Sequence, residues 1–119
     1  MRRITLLFAV ILLLIFLVSC GTSSLPYQDK SFDVGGLSNS NFTVTMSKGD
    51  VLEGYLTVRG GNDDIVFYVK DSYGNKVLNI QVKGRYDFSY TATSEGFHTL
   101  YFDNSFSFLT SKQVLMHYR

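Results

Sequence analysis

The sequence predicts an all-β protein, an antiparallel β-sandwich of about seven or eight strands. Apolar and polar residues alternate with a period of two from Phe32 onward, and clusters of glycine, asparagine and aspartate interrupt this alternation. No segment keeps the helical period of about 3.6 residues. A period of two is typical of strands that bury one face, and the interrupting residues are those that form turns.

The chain begins with an apolar segment that precedes the alternating region. Arg2 and Arg3 are followed by an apolar run from Ile4 to Val18 that only Thr5 interrupts. As a helix this run would span about 22 Å, which is short of the ~30 Å hydrocarbon core of a bilayer. That length is typical of a secretory signal peptide rather than of a stable membrane span. We therefore expect residues 1–19 to be a signal peptide.

The apolar segment ends in Leu17-Val18-Ser19-Cys20-Gly21, which resembles the lipobox of bacterial lipoproteins. The resemblance implies that the Cys20 thiol receives a diacylglyceryl group, that cleavage occurs before Cys20, and that a fatty acid such as palmitate acylates the new amine. Several acyl chains hold a protein at a membrane far more firmly than one chain does. The alternative is an ordinary secretory peptide with an incidental cysteine.

Lipidation of Cys20 implies a location at the bacterial cell membrane, with the folded part on the extracytoplasmic side. Inner or outer membrane remains open. Cys20 is the only cysteine, which excludes a disulfide scaffold. Without Arg2 and Arg3 the chain carries nine basic and ten acidic residues, so no basic surface field is expected. This balance argues against nucleic acid as a partner.

The mature chain is long enough for one domain. Residues 20–31 are predicted to be the lipidated cysteine and a small, polar linker around Pro26, and residues 32–119 to be the domain. Seven strands and one further candidate strand are predicted. The seven span Phe42–Met46, Val51–Val58, Asp64–Lys70, Lys76–Val82, Arg85–Ala92, Gly96–Asp103 and Gln113–Tyr118, and the further candidate spans Ser31–Leu37.

Alternation also predicts which side chains share a strand face. The residues that share the apolar face of their strand are Leu52, Leu56, Val58, Ile65, Phe67, Val69, Tyr86, Phe88, Tyr90, Ala92, His98, Leu100 and Phe102. His98 is in register with Leu100 and Phe102. It is predicted to be a core or rim residue, with a catalytic base or a metal ligand as the alternative.

Several short motifs follow one another in a recognisable order. They are Phe42-x-Val44, Lys48-Gly49-Asp50-Val51-Leu52-x-Gly54, Asn62-Asp63-Asp64-Ile65-x-Phe67-x-Val69, Tyr86-Asp87-Phe88-Ser89-Tyr90-Thr91-Ala92, Gly96-Phe97-His98, Phe102-Asp103-Asn104-Ser105-Phe106-Ser107 and Lys112-x-Val114. In this order and spacing they resemble the GOLD (Golgi dynamics) domain family over about residues 32–119. The resemblance implies a compact sandwich of jelly-roll type that makes protein–protein contacts.

The chain departs from the eukaryotic vesicle cargo receptors of that family. Those receptors pair two cysteines across the sandwich, one of them just before the Phe-Asp-Asn motif, where this chain has Tyr101. They also continue into a coiled coil, a membrane span and a cytosolic tail, which we do not expect in this protein. The resemblance therefore implies the fold and a general binding role, without sorting by coat recognition.

Aromatic residues outside the predicted core provide the candidate binding surface. Phe97 and Tyr101 lie on the other face of the strand that carries His98, and Phe106 and Phe108 follow in a stretch of serine and threonine. Exposed apolar patches mark binding sites, and tyrosine and phenylalanine are common in them. The alternative is that the other sheet and the loops cover these side chains.

Asn62-Asp63-Asp64 offers oxygen atoms that suit Ca²⁺. Three adjacent residues cannot supply the roughly 6–8 ligands that Ca²⁺ takes, and alternation directs Asp63 and Asp64 to opposite faces. We therefore expect a turn and strand start without a metal, with a Ca²⁺ site at Asp63 and Asp64 as the alternative. We predict no cofactor and no enzymatic activity, because the sequence has neither a nucleophile elbow nor a phosphate-binding loop.

We therefore expect a membrane-anchored lipoprotein whose sandwich is a non-catalytic protein-binding or adaptor module at the cell surface. The expected partners are the membrane, through the lipid, and another envelope or extracellular protein. Two alternatives remain open: a lipoprotein that binds a carbohydrate or small molecule, on whose rings the aromatic residues would stack, and a purely structural envelope protein.

Overall fold

A computed structural model describes residues 25–119, which form two four-stranded antiparallel sheets and confirm the predicted all-β sandwich. The strands are β1 (Gln28–Val34), β2 (Asn39–Met46), β3 (Val51–Arg59), β4 (Asp64–Lys70), β5 (Lys76–Lys83), β6 (Arg85–Thr91), β7 (Gly96–Asp103) and β8 (Lys112–Tyr118). The predicted signal peptide and Cys20 lie outside the described residues. The described part of the chain contains no helix able to cross a membrane.

The first sheet has the strand order β1-β8-β3-β6, and the second has the order β2-β7-β4-β5. Each strand runs opposite to the one before it, so the connections gather at two ends of the sandwich. We call the end where the chain passes from Tyr27 into the first strand the entry end. The connections at the entry end are residues 47–50, 71–75 and 92–95. The far end holds residues 35–38, 60–63, 84 and 104–111.

The core lies between the two sheets and includes most of the side chains that alternation assigned to it, with Tyr86 only partly buried. It also contains buried side chains that were not assigned to it, namely Val34, Met46, Val82, Val114, Met116 and Tyr118. Leu56, Ile65, Phe67, Leu100 and Phe102 are fully buried. The ring of Phe102 stacks on that of Phe67, with centroids 5.2 Å apart. Burying large apolar side chains from both sheets is what holds a sandwich of this kind together.

Two of the seven predicted strands have the observed bounds, and the other five differ at one end only, by three residues or fewer. The further candidate strand is shifted at both ends, since it starts at Gln28 rather than Ser31 and ends at Val34 rather than Leu37. The predicted linker of residues 20–31 is therefore too long. An edge strand exposes most of its side chains, so Gln28, Asp29 and Lys30 give no alternating signal although they pair with β8.

Candidate binding surfaces

The four aromatic residues predicted to form one surface do not lie together. Phe97 is at the entry end, at the start of β7, whereas Phe106 and Phe108 are in the loop after β7 at the far end. Tyr101 lies between them on the outer face of the second sheet. The structure therefore does not bring the four residues together in one surface, because strand β7 separates Phe97 from Phe106 and Phe108 by nearly its whole length.

At the far end, four exposed apolar side chains come from two neighbouring loops. Leu37 is 57% exposed, Phe106 48%, Phe108 74% and Leu109 88%. The Leu37 amide donates a hydrogen bond to the Ser107 carbonyl over 2.9 Å, which joins the two loops. We call these four side chains the far-end patch. Leu37 and Leu109 were missed by sequence reasoning, because an isolated leucine in a predicted strand or loop carries no periodic signal.

Asn104 holds the far-end patch in place from beneath. Its buried side-chain amide donates to the carbonyl oxygens of Val34, Gly35 and Thr110 over 3.2, 3.1 and 2.8 Å. Its backbone N–H also donates to the Ser38 carbonyl. One side chain thus fastens the β1–β2 turn to the β7–β8 loop, which is why both loops have a fixed conformation.

Asp103, the residue before Asn104, sets the turn that follows β7. Its carboxylate accepts a hydrogen bond from the Ser105 N–H over 2.8 Å. This is the local side-chain-to-backbone bond that an aspartate at the end of a strand is expected to make.

A buried ion pair lies under Phe106. The Lys112 ammonium donates to the Asp64 carbonyl over 2.8 Å and to the Asp64 carboxylate over 2.7 Å, and it is 4.9 Å from the Phe106 ring centre. Lys112 is almost fully buried. Sequence reasoning missed it, although alternation along β8 places Lys112 on the same face as Val114 and Met116.

The two aspartates that were candidate Ca²⁺ ligands have other partners. Asp63 accepts a hydrogen bond from the Gly60 N–H over 2.9 Å and adopts a left-handed backbone φ of 56°, as a turn residue does. Asp64 is paired with Lys112, whose positive charge occupies the place beside the carboxylate. Residues 25–119 hold no group of three or more side chains arranged to ligate a metal.

Tyr101 packs against Tyr68 of the neighbouring strand on the outer face of the second sheet. The two rings are stacked with centroids 4.6 Å apart, and the Lys76 ammonium lies 4.3 Å from the centre of the Tyr68 ring. Desolvation, together with the nearby charge of Asp103 and the Tyr101 phenol, raises the pKa of Tyr68. The ring faces of this pair are therefore occupied by protein groups.

The outer face of the first sheet carries a row of stacked side chains. The Tyr27 ring stacks on His117 at 4.4 Å, His117 stacks on Tyr55 at 5.1 Å, and the Arg85 guanidinium lies 4.0 Å from the Tyr55 ring centre. His117 also contacts the Asp29 carboxylate at 2.7 Å. Since Tyr27 precedes β1, this row fixes the point where the chain enters the sandwich.

At the outer end of this row, Arg85 pairs with Asp87 at 3.0 Å. The hydrogen bond to Asp87 raises the pKa of the Arg85 guanidinium, so it stays charged.

His98 is a core residue, which confirms the structural interpretation of its position. It is fully buried, its Nδ1 lies 3.1 Å from the Gly96 carbonyl, and its ring packs near Tyr90 with centroids 5.7 Å apart. The second histidine, His117, is on the opposite sheet and faces outward. The two imidazoles therefore form no common site.

The family model described as emp24/gp25L/p24 family/GOLD matches residues 30–119. The chain belongs to this family. The match covers all but the first two residues of the sandwich, which agrees with the motif order from Phe42 to Val114. No curated protein matches the sequence.

Two solved bacterial structures share the fold of this GOLD-family chain. The Yersinia pseudotuberculosis-derived mitogen has 14% sequence identity and a TM-score of 0.54, with 78% of this chain and 86% of that one covered. Aeromonas hydrophila PliG, a periplasmic inhibitor of g-type lysozyme, has 7% identity and a TM-score of 0.54, with 81% and 90% covered. At these identities the likeness concerns the fold alone.

Proposed function

We propose that this GOLD-family chain is a membrane-anchored lipoprotein whose sandwich is a non-catalytic, protein-binding module on the extracytoplasmic side. The far-end patch is the surface that binds the partner, which we take to be another envelope or extracellular protein. The lipid on Cys20 keeps the module at the bacterial membrane. The observation that carries the proposal is the clustering of Leu37, Phe106, Phe108 and Leu109 at one end.

The chemistry of the far-end patch supports a protein partner. Large apolar side chains that protrude together from fixed loops lose little conformational freedom on binding and bury much apolar area, as interface hot spots do. Asn104 and the pair between Asp64 and Lys112 fix the backbone below them. Aeromonas hydrophila PliG, which shares this fold, is named an inhibitor of g-type lysozyme. A sandwich of this shape can therefore carry a surface that binds another protein.

The carbohydrate alternative has less support at Tyr101, where the sequence suggested it. A sugar ring stacks on the open face of an aromatic ring. Tyr101 and Tyr68 turn their faces toward each other, and Lys76 covers the outer face of Tyr68. A sugar would therefore meet ring edges and hydroxyl groups rather than a flat platform.

The surroundings of the two histidines support a non-catalytic role. His98 Nδ1 contacts the Gly96 carbonyl, and His117 Nδ1 contacts the Asp29 carboxylate. Among the described residues, neither imidazole is hydrogen-bonded to a serine or threonine hydroxyl. A hydroxyl nucleophile needs such a base within hydrogen-bond reach.

Photo-cross-linking from the far-end patch tests the proposal. Benzoylphenylalanine replaces Phe108 or Leu109 in the full chain, and replaces Leu115 on the outer face of the first sheet as the matched control. We expect a discrete protein adduct in native-host membranes from positions 108 and 109, and none from 115. Adducts from 115 alone, or none at all, would contradict the proposal. An adduct removed by glycosidases but not by proteases would favour the carbohydrate alternative.

A further inference from the structure

A second group of exposed apolar side chains lies at the entry end, opposite the far-end patch. Tyr73 is 78% exposed in the β4–β5 turn and Phe97 is 65% exposed at the start of β7. Val51, at the start of β3, is also exposed there. Covering two exposed aromatic side chains with another apolar surface would be favourable, because it removes their apolar area from water.

Tyr73 and Phe97 belong to one structural unit, because the loops that carry them touch. The Ser72 hydroxyl donates to the Glu95 carbonyl over 3.0 Å. Gly96 approaches Ser72 so closely that a Cβ atom on it would lie 2.8 Å from the Ser72 Cβ. The Asp71 carboxylate accepts from the N–H groups of Tyr73 and Asn75, each over 2.9 Å, so the turn is rigid.

The chain toward Cys20 leaves the sandwich at this same end. The Tyr27 ring is held between His117, at 4.4 Å, and the Arg119 guanidinium, at 4.3 Å. Cys20 is seven residue steps from Tyr27, and seven steps of chain reach at most about 25 Å. A linker that extended to residue 31, as predicted, would have let the sandwich take a much wider range of positions relative to the bilayer.

We propose that the entry end rests on the bilayer that carries the Cys20 lipid, with Tyr73 and Phe97 at the level of the lipid headgroups. This inference rests on the lipid anchor of the proposed function. Aromatic side chains favour the membrane–water interface. Lys48, in the β2–β3 turn, lies at the same end, where it attracts anionic headgroups. The Lys70 and Lys76 ammonium groups lie over the rings of Tyr101 and Tyr68 on the outer face of the second sheet.

Three acidic side chains of the entry end contact groups of the protein, whereas the Glu95 side chain is exposed. The Asp50 carboxylate accepts from the Ser47 N–H over 2.8 Å, and Asp71 is occupied within its own turn. The Glu53 carboxylate pairs with Arg119 at 2.8 Å. Each of these three carboxylates is directed at a group of the protein.

The tether length favours this orientation over an inverted one. Strand β1 spans about 20 Å from Gln28 to Val34, and the far-end loops extend beyond it. To place the far-end patch on the same bilayer, the tether would have to be almost fully extended along the side of the sandwich. The upright orientation imposes no such extension and directs the far-end patch away from the membrane.

Tryptophan reporters test the orientation, because the chain has no tryptophan of its own. Phe97→Trp and Tyr73→Trp report on the entry end, and Phe108→Trp is the matched control at the far end. Each full-chain variant is purified from cell membranes and reconstituted into vesicles of phosphatidylethanolamine and phosphatidylglycerol, with brominated or unbrominated phosphatidylcholine. Thermal unfolding by circular dichroism checks that each variant folds.

We expect brominated lipid to remove about half of the emission from positions 97 and 73, and to leave position 108 almost unchanged. Quenching at 108 alone, or at none of the three positions, would overturn the inference. The mass of the N-terminal peptide in the same samples reports on the anchor separately. A chain without lipid would overturn both the anchor and the orientation, whereas a lipidated chain with unquenched 97 and 73 would overturn the orientation only.

Discussion

The Lys112 ammonium and the Asp64 carboxylate, 2.7 Å apart, tie the first residue of β8 to the first residue of β4. These strands belong to different sheets, so the pair bridges the sandwich at the far end, directly under Phe106. Burying a charge is costly, and a buried pair is stable only while both members remain. The loops that carry the far-end patch therefore depend on a pair of side chains that a partner would not contact.

Removal of one member of this pair should destabilise the sandwich more than removal of both. Asp64→Ala leaves the ammonium with the Asp64 carbonyl alone, and we expect the free energy of unfolding to fall by about 3 kcal/mol. The combined variant Asp64→Ala, Lys112→Met should recover a large part of this loss, because methionine has similar volume and no charge. Urea unfolding measures both values. Purely additive losses from the two substitutions would contradict this account.

Asn104 should be replaceable by neither alanine nor its isostere aspartate. Asn104→Ala removes the donor to three carbonyl oxygens, and we expect a loss of about 2–3 kcal/mol. Asn104→Asp keeps the volume but directs a carboxylate at the same oxygens, so it should cost at least as much. Faster amide exchange at Leu37, whose N–H donates to Ser107, is the local measurement. Unchanged exchange in both variants would contradict the role of Asn104.

Gly54 should tolerate no side chain, in contrast to Gly74. Gly54 has a φ of 152°, and a Cβ atom there would lie 2.7 Å from the Tyr118 Cα and even closer to the His117 carbonyl oxygen. Gly54→Ala should therefore separate β3 from β8 and cost more than about 3 kcal/mol. Gly74→Ala is the control, since its φ of 82° is strained but its surroundings are open. Equal losses from the two substitutions would argue against close packing of β3 on β8.

The Tyr68 phenol should ionise at higher pH than an ordinary tyrosine. Its raised pKa means that the unfolded chain loses this proton first as the pH rises through about 10. The protonated Tyr68 phenol therefore makes its full contribution to the free energy of unfolding below that pH. This contribution is lost as the pH rises through the pKa of Tyr68 in the folded protein. Asp103→Asn should bring the Tyr68 pKa closer to the ordinary value. Absorbance titration of the phenolate, with Tyr68→Phe to assign the signal, measures the shift. An unchanged titration in Asp103→Asn would contradict the contribution of Asp103.

The fold could be predicted from the sequence, because period-two alternation involves only residues that are close to one another along the chain. The bounds of Asp64–Lys70 and Gly96–Asp103 were predicted as observed. The first strand was placed three residues too late, since an exposed edge strand has little apolar content. The buried state of His98 followed from its register with Leu100 and Phe102.

The candidate binding surface was harder to predict from the sequence than the fold, because it depends on which loops meet at which end of the sandwich. Phe97 and Phe106 are nine residues apart in sequence but lie at opposite ends of β7, whereas Leu37 and Ser107 are joined by a hydrogen bond across 70 residues. Sheet pairing determines such proximity, and no local pattern contains it. The role of Lys112 required both its inward register and the position of Asp64 on another strand.

The central claim is that a lipid attaches a partner-binding sandwich to the membrane. Mass spectrometry of the N-terminal peptide tests this claim most directly, on the full chain isolated from native-host membranes. We predict a peptide that begins at Cys20 and carries diacylglyceryl and acyl groups, and we predict that Cys20→Ala shifts the protein from the membrane to the soluble fraction. An unmodified Cys20 in the wild-type protein, or a Cys20→Ala variant that remains equally bound to membranes, would contradict the account.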